Sequence, residues 1–149
     1  MTAVLAPCAG RVVPLSEVPD PVFAAEMVGP GVAIMPAPGA ATVVAPIAGK
    51  LVKVHPHAFV LLDGDGVGIL VHLGIDTVRL DGAGFEVLAT QGSTVAAGDP
   101  IVRWDPDAIA AQGLSPVVPV VAMDRPKASI PTPTPGIAVA PGDPLYDVT

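Results

Sequence analysis

Short runs of β-branched and aliphatic residues recur along this chain, and nearly every one is bounded by Gly, Pro or Asp. Such runs read as strands, because β-branched side chains fit a pleated surface while Gly, Pro and Asp favour the turns between strands. The pattern predicts strands at Arg11–Leu15, Gly31–Met35, Ala41–Ala45, Lys50–Val54, Phe59–Leu62, Gly68–His72, Glu86–Leu88, Ile101–Trp104, Val117–Val121, Gly136–Ala140 and Leu145–Val148. Helical periodicity is scarce. The best candidate is DPDAIAAQG (105–113), with Asp105 as N-cap, Pro106 at the first helical position and Gly113 at the exit. PDPVFAAEMVG (19–29) adds one further helical turn.

The chain repeats itself. LAPCAGRVVPL (5–15) and VAPIAGKLVKV (44–54) share apolar-Ala-Pro-x-Ala-Gly-basic-apolar-Val, and VAAGDPIVRWD (95–105) and VAPGDPLYDV (139–148) share Val-Ala-x-Gly-Asp-Pro before an apolar strand. The expected fold is therefore all-β: an antiparallel sandwich or barrel-like structure built from a duplicated β motif, with one or two short helical turns. Residues 1–149 are expected to form one domain.

Two histidines each sit inside such a run, His57 in HPHAFVLL and His72 in GILVHLGIDTV, and so read as strand residues. Asp63-Gly64 and Asp65-Gly66 mark a hairpin turn between the two segments. Pairing about that turn sets His72 opposite Ala58 and beside His57, so two imidazoles on neighbouring strands converge. A one-residue slip would send one ring to the other face.

Composition narrows the function. A net charge of −7 without a basic cluster repels a phosphate backbone, so nucleic acid is an unexpected partner. Hydrophobic content of 51% argues for a packed core, and a chain of this size buries about 70% of its unfolded surface. The longest apolar stretches, 117–123 and 66–71, fall far short of the ~20 residues of a membrane span, and MTAVLAPCAG is a poor signal peptide. A cytoplasmic protein without direct membrane insertion is expected. The lone Cys8 reads as a small buried hydrophobe.

Across nearly its whole length the chain resembles the glucose-type enzyme IIA components of the bacterial phosphoenolpyruvate:sugar phosphotransferase system. The likeness runs through LSEVPDPVFA (15–24), VGPGVAIMP (28–36), VAPIAGKL (44–51), HAF (57–59), GILVHLGIDTV (68–78), LDGAGFEVLATQGSTVAAGDPIV (80–102) and VAPGDPLYDV (139–148). It implies a phosphoryl carrier. His72 would take the phosphoryl group from the histidine phosphocarrier protein and pass it to a cysteine on the IIB domain of a membrane sugar transporter, with His57 stabilising the group. No cofactor and no metal are implied, and regulatory protein targets are further partners that the family implies. The resemblance suggests that the second ring nitrogen of His72 donates to a backbone carbonyl, that of Gly74. It also places Val22, Phe23, Val28, Leu70 and Val78 on an apolar partner face, with Asp76 at its rim.

The chain departs from this pattern in places. His55 stands where a hydroxyl residue is common, giving His-Pro-His; Asp124 stands where Asn is frequent; and DRPKASIPTPTP (124–135) is Pro-rich, which predicts a stiff, extended loop. The chain also starts almost at its first core strand, without the amphipathic arm that some members carry, which argues against membrane anchoring. His-x-His with a third histidine nearby is also how a zinc site is written, so a zinc-dependent hydrolase of the lysostaphin-like peptidase type is the alternative reading. It lacks a convincing His-x-x-x-Asp partner motif. A biotinyl- or lipoyl-type carrier needs a lysine at a tight hairpin tip, and Lys50, Lys53 and Lys127 lack that setting.

Overall fold

The computed structural model describes residues 1–149. Thirteen strands run in chain order: β1 (Thr2–Leu5), β2 (Gly10–Pro14), β3 (Gly31–Pro36), β4 (Ala41–Val44), β5 (Gly49–His55), β6 (Ala58–Leu62), β7 (Gly68–His72), β8 (Phe85–Val87), β9 (Thr94–Val95), β10 (Pro100–Trp104), β11 (Val118–Ala122), β12 (Ala138–Val139) and β13 (Pro144–Val148). Two short helices, α1 (Pro21–Ala24) and α2 (Pro106–Ala111), each begin with an Asp N-cap whose carboxylate accepts a backbone N–H two residues on. Both place Pro at the start, where its missing N–H costs nothing.

Every strand pair is antiparallel. Eight strands form one sheet in the order β12-β2-β3-β11-β7-β6-β5-β9, and β4-β10-β8 and β1-β13 form two smaller sheets. The main core draws on all three, with Val32, Ile34, Ile69, Val71 and Val120 from the large sheet meeting Val4, Val43, Ile101, Trp104 and Leu145. Side chains alternate along a strand, so the residues between these face the other way. Ala33 and Val121 do so, forming with Leu15, Val18, Phe23, Ile75 and Val117 a second cluster on the outer face of the large sheet. Leu70 packs partly buried against it. His72, two residues after Leu70 on the same strand, shares that outer face.

The repeats in sequence are repeats in space. At the sheet centre Val71 faces Val120, and the two halves match outward from that pair. Leu73 donates to the His57 carbonyl as Ala122 donates to that of Pro30. Gly10 and Gly49 lie so close to the Met35 and Leu62 carbonyls that a Cβ at either would collide with them. Leu5 donates to Pro46 and Val44 to Pro7, while the Asp143 and Asp99 carboxylates accept the Ala140 and Ala96 amides at 2.8 and 2.9 Å. In this correspondence the counterparts of His57 and His72 are Pro30 and Val121. One half carries the imidazoles; the other has only backbone and core there.

Several sequence expectations shift. β1, β9 and the 3-10 turns Leu15–Glu17 and Thr77–Leu80 are additional, and the strand expected at 136–140 shrinks to Ala138–Val139 because Pro135 and Gly136 form a turn. Residues 131–134 carry no hydrogen-bonded element, in keeping with an extended Pro-rich loop, but turns precede them at 123–124 and 127–128. Asp124 and Ala128 adopt left-handed backbone there, a conformation in which Asn and Asp cost less than most residues.

Candidate functional site

The hairpin register is the one the Asp-Gly turn predicts. β6 pairs with β7 with Ala58 opposite His72 and Leu62 opposite Gly68. Asp63 holds the turn by accepting the Asp65 and Val67 amides, each at 2.9 Å. His57 differs from expectation in one respect: it is not on a strand. β5 and β6 join with His55 opposite Ala58, so Pro56 and His57 form the two-residue turn between them. Pro56 presets the backbone of that turn, and His57 projects from its second position.

The two rings meet. Their centroids are 5.3 Å apart at an interplanar angle of 74°, and both side chains are half-buried. Phe23, only 7% exposed, also packs against His72, with ring centroids 5.2 Å apart. His72 Nδ1 lies 2.5 Å from the carbonyl oxygen of Gly74. A carbonyl can only accept, so Nδ1 carries the proton and Nε2 is the nitrogen with a free lone pair.

The loop that offers this carbonyl is tightly held. Leu73 donates to His57, Gly74 to Val117 and Ile75 to Ser115, and the buried Thr77 hydroxyl donates back to the Leu73 carbonyl at 2.7 Å. Gly74 has φ +78°, and a Cβ there would sit 2.7 Å from Thr77 Cγ2 and 3.0 Å from the Ser115 carbonyl. Only glycine fits that backbone and that space without strain.

The electrostatics favour the neutral form of both imidazoles. Burial pushes the proton affinity of His72 below the ordinary value of 6.5, against a smaller opposite pull from the Gly74 bond and the Asp20 and Asp76 carboxylates. Burial also lowers His57, helped by repulsion from His72 and His55. Neutral imidazole is the form whose lone pair can attack phosphorus.

The residues expected on a partner face fall into two groups. Val22 and Val78 are 41% and 60% exposed, whereas Phe23 is buried in the outer cluster and Val28 and Leu70 are half-buried beside it. Asp76 is exposed, adopts left-handed backbone and stands 3.9 Å from Arg79, a loose pair in water. Met27, 68% exposed a few residues from Phe23, belongs with the exposed group and went unnoticed in sequence because MVG carries no periodic signal. His55, which departs from the family pattern, stacks its ring on His57, centroids 5.7 Å apart at 25°.

The fold and site define a β-sandwich bearing two imidazoles in contact, one of them with a ring nitrogen free of any hydrogen bond. Comparisons with known proteins narrow the class. Residues 2–128 match the family described as phosphoenolpyruvate-dependent sugar phosphotransferase system, EIIA 1. The glucose-specific EIIA component of Staphylococcus aureus is 45% identical over 121 residues, covering 80% of this chain and 72% of that protein. The mannose-specific EIIBCA component of Corynebacterium glutamicum is 44% identical over 126 residues, covering 83% of this chain and 18% of that one. The solved structure of the glucose permease IIA from Mycoplasma capricolum superposes with a TM-score of 0.87 at 40% identity, covering 97% of this chain and 93% of that one. This chain belongs to the glucose-type enzyme IIA family and is a phosphoryl carrier of the sugar phosphotransferase system. The zinc hydrolase alternative finds no support in these likenesses, and no three His, Cys, Asp or Glu side chains gather around a point that could hold a metal ion.

Proposed function

We propose that residues 1–149 act as one IIA domain in which His72 Nε2 accepts a phosphoryl group from the histidine phosphocarrier protein and hands it to a cysteine of a transporter IIB domain. The observation that carries this reading is the Nδ1 bond of His72 to the Gly74 carbonyl, which leaves Nε2 as the nucleophile beside the His57 ring.

In the first step the Nε2 lone pair forms a P–N bond as the donor's P–N bond breaks and its electron pair returns to the donor nitrogen. The bonds made and broken are alike, so the transfer is close to isoenergetic and the protein's task is alignment and charge stabilisation. His57 supplies an N–H to the phosphoryl oxygens. In the second step a cysteine thiolate attacks phosphorus, and the P–N electron pair returns to Nε2. The His72 proton stays on Nδ1 throughout, held by Gly74. Neither step calls for a cofactor or metal.

We read the exposed Val22, Met27 and Val78, together with the half-buried Leu70 and Val28 of the outer cluster, as a small apolar docking face with Asp76 at its rim, suited to partners that dock and leave. The IIB domain as acceptor is supported by the Corynebacterium relatives, EIIBCA components that join B, C and A parts in one longer chain. A cytoplasmic location follows from this role, and no helix is long and apolar enough to cross a membrane.

The test is the reconstituted relay: phosphoenolpyruvate, enzyme I, the phosphocarrier protein and this chain, followed by mass spectrometry. One acid-labile, base-stable phosphate on His72, absent from His72→Gln, is expected. Label that persists in His72→Gln would overturn the assignment.

A further inference from the structure

The two rings of the relay are not held in the same way. His72 is fixed by its bond to Gly74 and by Phe23. His57 has no such bond; it projects from a two-residue turn, and the rings that flank it are His72, edge-on, and His55, face-on. To donate to a phosphoryl group on His72, the His57 ring must keep its edge toward His72, which requires both side-chain torsions to be restrained. With no hydrogen bond on the ring, the stacked His55 is a restraint on those torsions.

We propose that His55 is a positioning residue of the relay, its ring stacked on His57 so that the His57 plane stays edge-on to His72. The turn supports this arrangement. His55 ends β5 directly opposite Ala58, Pro56 locks the backbone between the two histidines, and the Pro56 ring is braced from outside by the segment at Gly82, where an added Cβ would sit 3.3 Å from Pro56 Cγ. Two side chains on either side of a rigid proline thus meet at 5.7 Å with nearly parallel planes. His55 is exposed and the ring it stacks on is that of His57, so its effect passes through His57. Repulsion from His55 also lowers the proton affinity of His57, in the same direction as burial. A hydroxyl residue at this position holds its neighbour by a hydrogen bond at most; an imidazole offers a ring face.

The inference rests on the relay proposed above, and the experiment separates the two. Phosphorylated wild type, His55→Ala and His55→Phe are each mixed with excess purified IIB domain, and single-turnover transfer is followed at increasing acceptor concentration, with the label located by mass spectrometry. His55→Ala is expected to lower the limiting rate about three- to tenfold with the half-saturating acceptor concentration unchanged, and His55→Phe, which keeps the stacking face, to stay within about twofold of wild type. Wild-type rates in His55→Ala, equal slowing in His55→Phe, or a change confined to the half-saturating concentration would each overturn the positioning role. Label found away from His72 in the wild type would instead overturn the relay itself.

Discussion

The carbonyl of His57 accepts the amide of Leu73 at 2.7 Å, so the two histidine segments are tied together one residue from the His72 ring. The distance between the imidazoles is therefore set by a backbone bond of the sheet and not by the side chains alone. A sheet register is all-or-none, and this one leaves little room for the rings to drift apart.

Replacing His57 tests what that proximity does. His57→Gln keeps an amide donor on a flexible stem but loses the ring. The equilibrium occupancy of His72 depends on its own P–N bond and should remain complete, while donation to the IIB domain should slow on the order of a hundredfold, as when an oriented donor to a transferring group is lost. Stopped-flow transfer from the phosphorylated variant measures this, and a wild-type donation rate would refute it.

Gly74 is the most demanding position in the loop. Gly74→Ala forces a side chain into left-handed backbone and against Thr77 and Ser115, and should cost about 3 kcal/mol. Gly84→Ala is the natural control: φ is +90° but nothing lies within 4 Å, so only the backbone cost of about 1 kcal/mol remains. Urea denaturation of both variants should rank them in that order, and equal losses would show that the Gly74 environment yields.

Phe23 both fills the outer cluster and rests on His72. Phe23→Ala should destabilise the fold by about 3 kcal/mol, the low end for a buried aromatic because this cluster is small and near the surface. Phosphoryl acceptance should fall with it, since His72 loses its backing. Phe23→Leu should recover most of the stability but less of the rate, and full recovery of both would show that the aromatic face is dispensable.

How much of this was legible in the residues follows from what each signal depends on. The β6–β7 hairpin and its register could be read because Asp-Gly punctuation and apolar alternation are local. The N-cap of α2 could be read for the same reason. β1 could not: its partner β13 lies at the opposite end of the chain, and Thr2 is anchored by a hydrogen bond to Asp63 that no local pattern announces. The turn position of His57 is hidden because HPHAFVLL looks like one extended run, whereas Pro56 ends β5 and turns the chain. The split between exposed Val22 and buried Phe23 was hidden because a four-residue helix gives too short a period to assign a face.

The pH dependence has a definite sign. Both His57 and His72 bind protons less readily in the folded protein than at the unfolded value of 6.5. Between that value and their lower folded values the unfolded chain holds more protons, so stability is full above pH 6.5 and is lost as pH falls through the window. By the same shift, acceptance of phosphate should persist at about pH 6, where an unperturbed imidazole is mostly protonated. NMR titration of the two rings, with denaturation above and below the window, checks both statements; midpoints at or above 6.5 would contradict them.

The most direct test is the identity of the phosphorylated nitrogen. Because Nδ1 of His72 is bound to the Gly74 carbonyl, phosphorus and nitrogen NMR of the phosphorylated protein should show a P–N bond at Nε2 of His72 with the proton retained on Nδ1. Phosphate on Nδ1, or on His57, would contradict the account.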